Sequence, residues 1–328
     1  MKCVVTTINL PSKAIEKLQS IFGNNLIVVG DKKTPVDWHY KNVEYIPYQK
    51  TELFDHYAPD NHYARKNLGY IEAIKQKAEL IYDTDDDNIP NENWKAREIN
   101  CEAKVSHKNG WLNVYKIFSR EYVWPRGFSL KELSKYQYPE LIGIKNVVSP
   151  IQQGLANGEA DVDAIWRLTQ QFKSFQIDFD SAGSAMLTEG SWCPFNSQTT
   201  WWFPQAYPLL YLPVYASFRM TDIWRSFVAQ RCIWALGHGV TFHSPAEVYQ
   251  ERNEHDLLKD FEDEIPGYLH NDKIVEILTS LELKTGSENI FGNMIKCYQA
   301  IIDNKILPEM EMRSLMSWIK DVNEIWRP

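Results

Sequence analysis

The hydrophobic pattern changes character along the chain. Cys3 to Ile8 and Leu26 to Val29 are short apolar runs, the second ended by Gly30-Asp31. Runs this short, rich in β-branched residues and bounded by turn signals, read as strands buried on both faces. Between them Pro11 opens a stretch in which Ile15, Leu18 and Ile21 share one helical face. Val43 to Ile46 is a weaker third strand, and Arg65 to Leu80 holds a helix followed by the strand Leu80-Ile81-Tyr82. Such alternation predicts a mostly parallel sheet, with ligands beyond the carboxyl ends of its strands. Thr6-Thr7, Asp31 and the segment Asp83–Asp87 fall at those ends and are expected to meet in one crevice. The middle, about 100 to 200, mixes Pro, Gly and aromatics. Helical spacing returns from Asp222 to Gly239, and two or three amphipathic helices follow residue 265. The pattern predicts an α/β domain over 1–262 and a helical C-terminal extension over 263–328, without internal repeats.

Composition narrows the function. A formal charge of −8 on 328 residues argues against nucleic acid as a partner, since phosphate backbones need clustered Lys and Arg. Twelve Trp favour core packing first and flat, stacking ligands second. The five Cys are widely spaced with no Cys-x-x-Cys, as expected of reduced thiols in a cytoplasmic protein. The N-terminus enters a strand at once, with no leader pattern. Trp201 to Phe218 is the most apolar long stretch, but Pro204, Pro208 and Pro213 break it as a spanning helix. That leaves peripheral contact at the inner membrane face as its one membrane role.

The strongest chemical signal is Asp83-Thr84-Asp85-Asp86-Asp87 at the end of Leu80-Ile81-Tyr82. Like charges at 4–5 Å repel by roughly 1 kcal/mol per pair even in water. A hard divalent cation relieves that repulsion, and Mg²⁺ is commonly held by one or two carboxylates plus substrate phosphates. An EF-hand beginning at Asp83 fails, because its sixth and twelfth positions would be Asn88 and Trp94 rather than Gly and Glu. Three readings remain: a nucleotide-sugar clamp, a phosphotransferase with Asp83 as covalent nucleophile, and a solvated acidic turn. A non-catalytic nucleotide- or glycan-binding protein is a further alternative for the whole chain. Sugar transfer from a nucleotide donor expels a nucleoside diphosphate, whose growing charge a carboxylate-bound metal neutralises.

Several motifs in order resemble the STELLO-type glycosyltransferases and, more distantly, the plant reversibly glycosylated polypeptides. They are Arg65-Lys66-Asn67-Leu68-Gly69-Tyr70, Ile81 to Asp87, Trp124-Pro125-Arg126-Gly127-Phe128, Gly154-Leu155-Ala156-Asn157 and Asp161-Val162-Asp163-Ala164. Phe195-Asn196-Ser197-Gln198, Thr221-Asp222-Ile223-Trp224 and Gly237-His238-Gly239-Val240 complete the set. The resemblance covers about residues 1 to 260 and leaves the C-terminal helices unmatched. It implies a GT-A fold, the Rossmann-like nucleotide-binding domain with an Asp-x-Asp motif.

What the resemblance implies can be placed on residues. Thr6 and Asp31 fall where such enzymes contact base or ribose, Arg65 near the diphosphate, and Asp161 and Asp163 toward the donor sugar. Asp83 joins the donor set, and Asp85 and Asp87 would bind Mg²⁺ or Mn²⁺. His243 or His255 would complete the metal shell, and Arg252 is a further diphosphate candidate. Asp222 matches the general base of inverting enzymes, although Asp at that point also suits an N-cap. Arg126, Asn196 and Gln198 are acceptor-binding candidates. The implied partners are a nucleotide sugar, UDP-linked or otherwise, and a glycan or glycoconjugate acceptor. One departure matters: Phe128-Ser129-Leu130-Lys131 has Lys where the plant mutases carry the Arg tied to self-glycosylation. Lys lacks the planar fork of Arg, which favours an external acceptor.

Overall fold

The computed structural model describes residues 1–49, 57–135, 139–170, 176–179, 181–251 and 256–326. The apolar runs form β1 (Lys2–Thr7), β2 (Leu26–Gly30), β3 (Glu44–Ile46) and β4 (Ile81–Thr84). These four pair parallel in the order β3-β2-β1-β4. The sheet continues through Thr199–Trp202, Ile151–Gln153, Val240–Ser244, Gly183–Leu187, Asn100–Ser106 and Leu141–Val148. In this half parallel and antiparallel pairings mix; Thr199–Trp202 runs antiparallel to both neighbours. The architecture is therefore α/β and GT-A-like, parallel where the chain begins and mixed beyond.

Both faces of β1 and β2 are covered, which is why their sequences are nearly continuous apolar runs. Val4, Ile27 and Val29 face one core; Cys3, Val5, Leu26 and Val28 face the other. The helices are α1 (Lys13–Phe22), α2 (Lys66–Lys75), α3 (Tyr115–Phe118), α4 (Ala164–Thr169), α5 (Thr221–Ala235), α6 (Leu257–Ser280), α7 (Ile290–Asp303) and α8 (Met310–Ile325). Helix α1 starts later than Pro11 predicts: Ser12 is its N-cap, with its Oγ accepting from Ile15 N at 3.2 Å. Gly69 lets α2 press onto the sheet, because a Cβ there would come within 2.5 Å of Val4 Cγ1.

The larger core runs from Val4 to Trp326 without a break, and α5, α7 and α8 all contribute to it. Helix α6 spans residues 257 to 280, so the expected boundary at 262/263 falls inside one helix. Ten of the twelve Trp are buried, and none borders the principal cavity, so core packing accounts for them. The Trp201–Phe218 stretch is also interior rather than membrane-facing. Trp201 and Trp202 are fully buried and Pro204–Leu210 forms an inward-packed 3₁₀ segment, leaving Tyr215 and Phe218 as its exposed large side chains. Among the described residues no helix is long and apolar enough to cross a membrane.

Candidate active site

Chain order leaves β1 toward β2 on one side and returns to β4 on the other. This reversal opens a crevice between the ends of β1 and β4, the usual ligand position in such sheets. A cavity of about 590 Å³ lies there. Thr6, Asp31, Arg65, Asp85, Asp87, Asp161, Asp222, Arg126 and Gln198 all line it, so most residues expected at the site do meet. Seven carboxylates border it against four basic side chains, from Lys33, Arg65, Arg126 and Arg219.

The acidic turn is differentiated residue by residue. Asp83 is fully buried and does not reach the cavity: Lys66 Nζ lies 2.7 Å from Oδ1, and Arg225 Nη1 donates to Oδ2 at 3.1 Å. Its expected contact with the donor is corrected accordingly. A covalent nucleophile must touch its substrate, so the phosphotransferase reading loses its residue too. Asp85 accepts both Tyr63 Oη at 2.6 Å and Lys66 Nζ at 2.8 Å on Oδ1 alone, so its other oxygen takes part in neither bond. Burial pushes the Asp85 carboxyl up to about 6, opposed by Lys66 and reinforced by Asp87. Asp86 ties β4 to β1 by accepting from Thr7 Oγ1 at 2.5 Å and Asn9 Nδ2 at 3.3 Å. Asp87 accepts Asn88 Nδ2 at 2.9 Å and Gln250 Nε2 at 3.0 Å, one on each oxygen. Among the described residues no three His, Cys, Asp or Glu side chains gather closely enough to cage an ion. A cation here would have Asp85 and Asp87 as its protein ligands and would need oxygens from a bound ligand to complete its shell, the pattern Mg²⁺ prefers.

The remaining metal candidates divide. His243 is buried in the strand Val240–Ser244, with Nδ1 2.8 Å from Ser184 Oγ and Nε2 2.9 Å from Gln152 Oε1. It does not border the cavity, and burial drives its pKa well below the usual histidine value, so it is a core histidine rather than a ligand. His255 and Arg252 lie outside the described residues.

At the β2 end of the cavity, both oxygens of Asp31 accept backbone amides: Lys32 N and Asn61 N on Oδ1, His62 N on Oδ2. Asp31 thus shapes the wall formed by Asn61–Arg65. Arg65 donates to Gly30 O at 3.0 Å and Ala58 O at 3.1 Å, and its guanidinium lies 5.1 Å from the Tyr48 ring centroid.

The opposite end is a buried ion-pair cluster. Arg126 forks onto Asp222 with two 3.0 Å bonds and onto Asp161 at 2.8 and 3.1 Å. Gly127, at φ 86°, makes the turn that aims Arg126 inward. Arg219 pairs with Glu264 at 2.9 Å and approaches Asp161 at 3.6 Å. Asp222 is not the N-cap of α5; that position is Met220, and Asp222 sits in the first turn beside Ser197 N at 3.3 Å. Asp163 takes the capping role elsewhere: it caps α4 through Trp166 N at 2.8 Å, accepts from Trp124 Nε1, and stays off the cavity. Its expected contact with the donor sugar is therefore corrected. Asn196 likewise lies behind the wall, bonded to Asp161.

The profile of the STELLO glycosyltransferases matches residues 219–326, from Arg219 through α8. Two Arabidopsis thaliana proteins, named probable glycosyltransferases STELLO2 and STELLO1, are 26% and 27% identical over 97% of this chain. The chain is similar to the STELLO glycosyltransferases. It spans 44% of those relatives' length. The STELLO match also overturns the expectation that the C-terminal helices stand outside the likeness, because α6, α7 and α8 lie within it.

Lys66, Arg225, Gln250 and Arg219 are the site residues that the sequence did not disclose. Lys66 stands beside Arg65, and no spacing rule links it to carboxylates so much further along the chain. Gln250 is a neutral amide, which carries no pattern of its own.

Proposed function

We propose that the chain transfers a sugar from a nucleotide-sugar donor to a hydroxyl of a glycan or glycoconjugate acceptor, with Mg²⁺ or Mn²⁺ at Asp85 and Asp87. The observation that carries the reading is one cavity bordered by the β1, β2 and β4 ends, the Asp85–Asp87 turn and Asp222. Its volume is of the size that encloses a small ligand. In this reading Thr6 and the Asp31 wall take the nucleoside, and Arg65 supplies positive charge toward the diphosphate. A bound metal supplies Lewis-acid neutralisation of the leaving diphosphate. Asp222 accepts the acceptor's hydroxyl proton: the Arg126 fork fixes its plane, and a carboxylate has about four lone-pair sites, so acceptor capacity remains. Arg126, with Asp161 on its other side, keeps that base oriented.

The test is a thermal-shift screen of nucleoside diphosphates and nucleotide sugars, with and without Mn²⁺. A ligand at a hundredfold excess over Kd raises stability by about 2.7 kcal/mol. One nucleotide class should stabilise the protein in a metal-dependent way, and Asp222→Asn should keep that shift while losing turnover by at least about 100-fold. A protein with no nucleotide response, or an Asp222→Asn variant at full activity, contradicts the reading.

A further inference from the structure

A continuous line of side-chain amides runs along the cavity wall from the ion-pair cluster to the acidic turn, with Gln198 and Gln250 bordering the cavity and Asn196 behind them. Asn196 Nδ2 donates to Asp161 Oδ2 at 2.8 Å and to Gln198 Oε1 at 3.2 Å. Gln198 Nε2 donates to Gln250 Oε1, and Gln250 Nε2 donates to Asp87 Oδ2 at 3.0 Å. Asn196, Gln198 and Gln250 are each at least nine-tenths buried. The line ends in a carboxylate on both sides, and ionised carboxylates only accept hydrogen bonds. Donation must therefore run outward in both directions from some interior point. That point is Asn196 Nδ2, whose two N–H donors serve Asp161 on one side and Gln198 on the other. Its Oδ1 accepts Gln153 Nε2 and Gln198 N, both at 3.0 Å, so the amide makes all four of its bonds and cannot flip without losing them.

The backbone fixes the line as firmly as the side chains do. Gln250 lies opposite Asn88 in a small sheet with Asn88–Pro90 and Ala156–Gly158, and Glu251 N donates to Asp87 O at 3.1 Å. Asn196–Gln198 leads into the strand Thr199–Trp202, antiparallel to β4, which delivers the acidic turn.

We propose that Asn196, Gln198 and Gln250 are positioning residues that set the orientation of Asp87 and couple it to the Asp161–Arg126–Asp222 cluster. The inference rests on the metal-dependent glycosyltransferase reading and goes beyond it by linking the two ends of the cleft. Partners that orient a metal's ligands commonly govern affinity by 10–100-fold. A linkage of this kind is also reciprocal, so occupation of one end changes affinity at the other.

The experiment is calorimetric titration of UDP, with and without Mn²⁺, into wild type, Gln250→Met, Gln198→Met and the double variant. Circular dichroism confirms folding. Gln250→Asn, which keeps the amide but is one methylene short, serves if Gln250→Met does not fold. Each single variant should lose about tenfold in Mn²⁺-dependent UDP affinity, with the Mn²⁺-independent part unchanged. The double variant should be no worse than Gln250→Met, because both substitutions cut the same line. Losses that add would show Gln198 touching ligand directly and would overturn the relay. Mn²⁺ dependence kept in full by every variant would overturn it as well while leaving the metal reading intact. Wild type that binds UDP equally with and without Mn²⁺ would remove the metal reading itself, and the relay with it.

Discussion

Lys66 is the side chain on which the acidic turn depends. Its ammonium is fully buried and lies 2.7 Å from Asp83, 2.8 Å from Asp85 and 3.1 Å from Tyr63 Oη. Burial alone would favour the neutral amine; Asp83 and Asp85 outweigh it and hold the pKa well above its ordinary value. Removing one partner of a buried ion pair strands the other, which typically costs about 3–5 kcal/mol. Lys66→Met should therefore lower unfolding free energy by that amount in urea titrations. Lys66→Met with Asp85→Asn should recover part of the loss, since Asp83 keeps Arg225 while Asp85 loses its cation, and the second change removes that stranded charge. Additive losses in the double variant would show that the two residues do not act as a pair. The residue scale is also where sequence reading was least complete. The Asp-x-Asp segment was visible as charge density, but which aspartate faces ligand depends on cations supplied by α2 and α5.

At the scale of elements, α8 braces the loops around the cavity. Glu311 accepts Tyr211 Oη and Val214 N on Oε1 and Tyr215 N on Oε2, on the segment leading to Phe218 and α5. Burial pushes the Glu311 carboxyl up to about 7, against the pull of those donors. A carboxyl raised in the folded state binds its proton more tightly there than in the unfolded chain. Its contribution is complete below the ordinary value near 4.5 and is lost as pH rises through about 7. The loss amounts to on the order of 3 kcal/mol. Wild-type unfolding free energy should accordingly decline between about pH 5 and pH 8, and Glu311→Gln should flatten that slope. An unchanged slope would assign the pH dependence to another group. Elements themselves were legible where one period dominates: β1 and β2 as apolar runs, α7 and α8 as amphipathic stretches. The region from 100 to 200 was not legible. Its strands pair with partners far along the chain, Asn100–Ser106 with Leu141–Val148 and Ile151–Gln153 with Val240–Ser244. Local pattern does not encode such pairings.

For the molecule as a whole, the C-terminal helices complete the fold rather than append to it. Trp318 is fully buried and donates to Pro208 O at 2.9 Å; Trp326 donates to Pro204 O at 2.7 Å. Both carbonyls belong to the apolar stretch that sequence alone offered to a membrane. Asn271 of α6 accepts from Trp224 Nε1 and donates to Gly127 O, each at 2.9 Å, so α6 holds both α5 and the turn that aims Arg126. Tyr57 Oη reaches Asp321 of α8 at 2.5 Å, while Asn67 bonds the carbonyls of Tyr57 and Leu212. These contacts tie residues 263–326 to the sheet and are expected to make one cooperative unit of them, even though chains of this length often unfold in stages. Scanning calorimetry should show a single transition with matching calorimetric and van't Hoff enthalpies. A chain ended at residue 262 would expose the apolar faces of α5 and the 204–210 segment, and should show no cooperative transition. Two resolved transitions, or a stable 1–262 fragment that still binds nucleotide, would instead make the sheet a domain of its own.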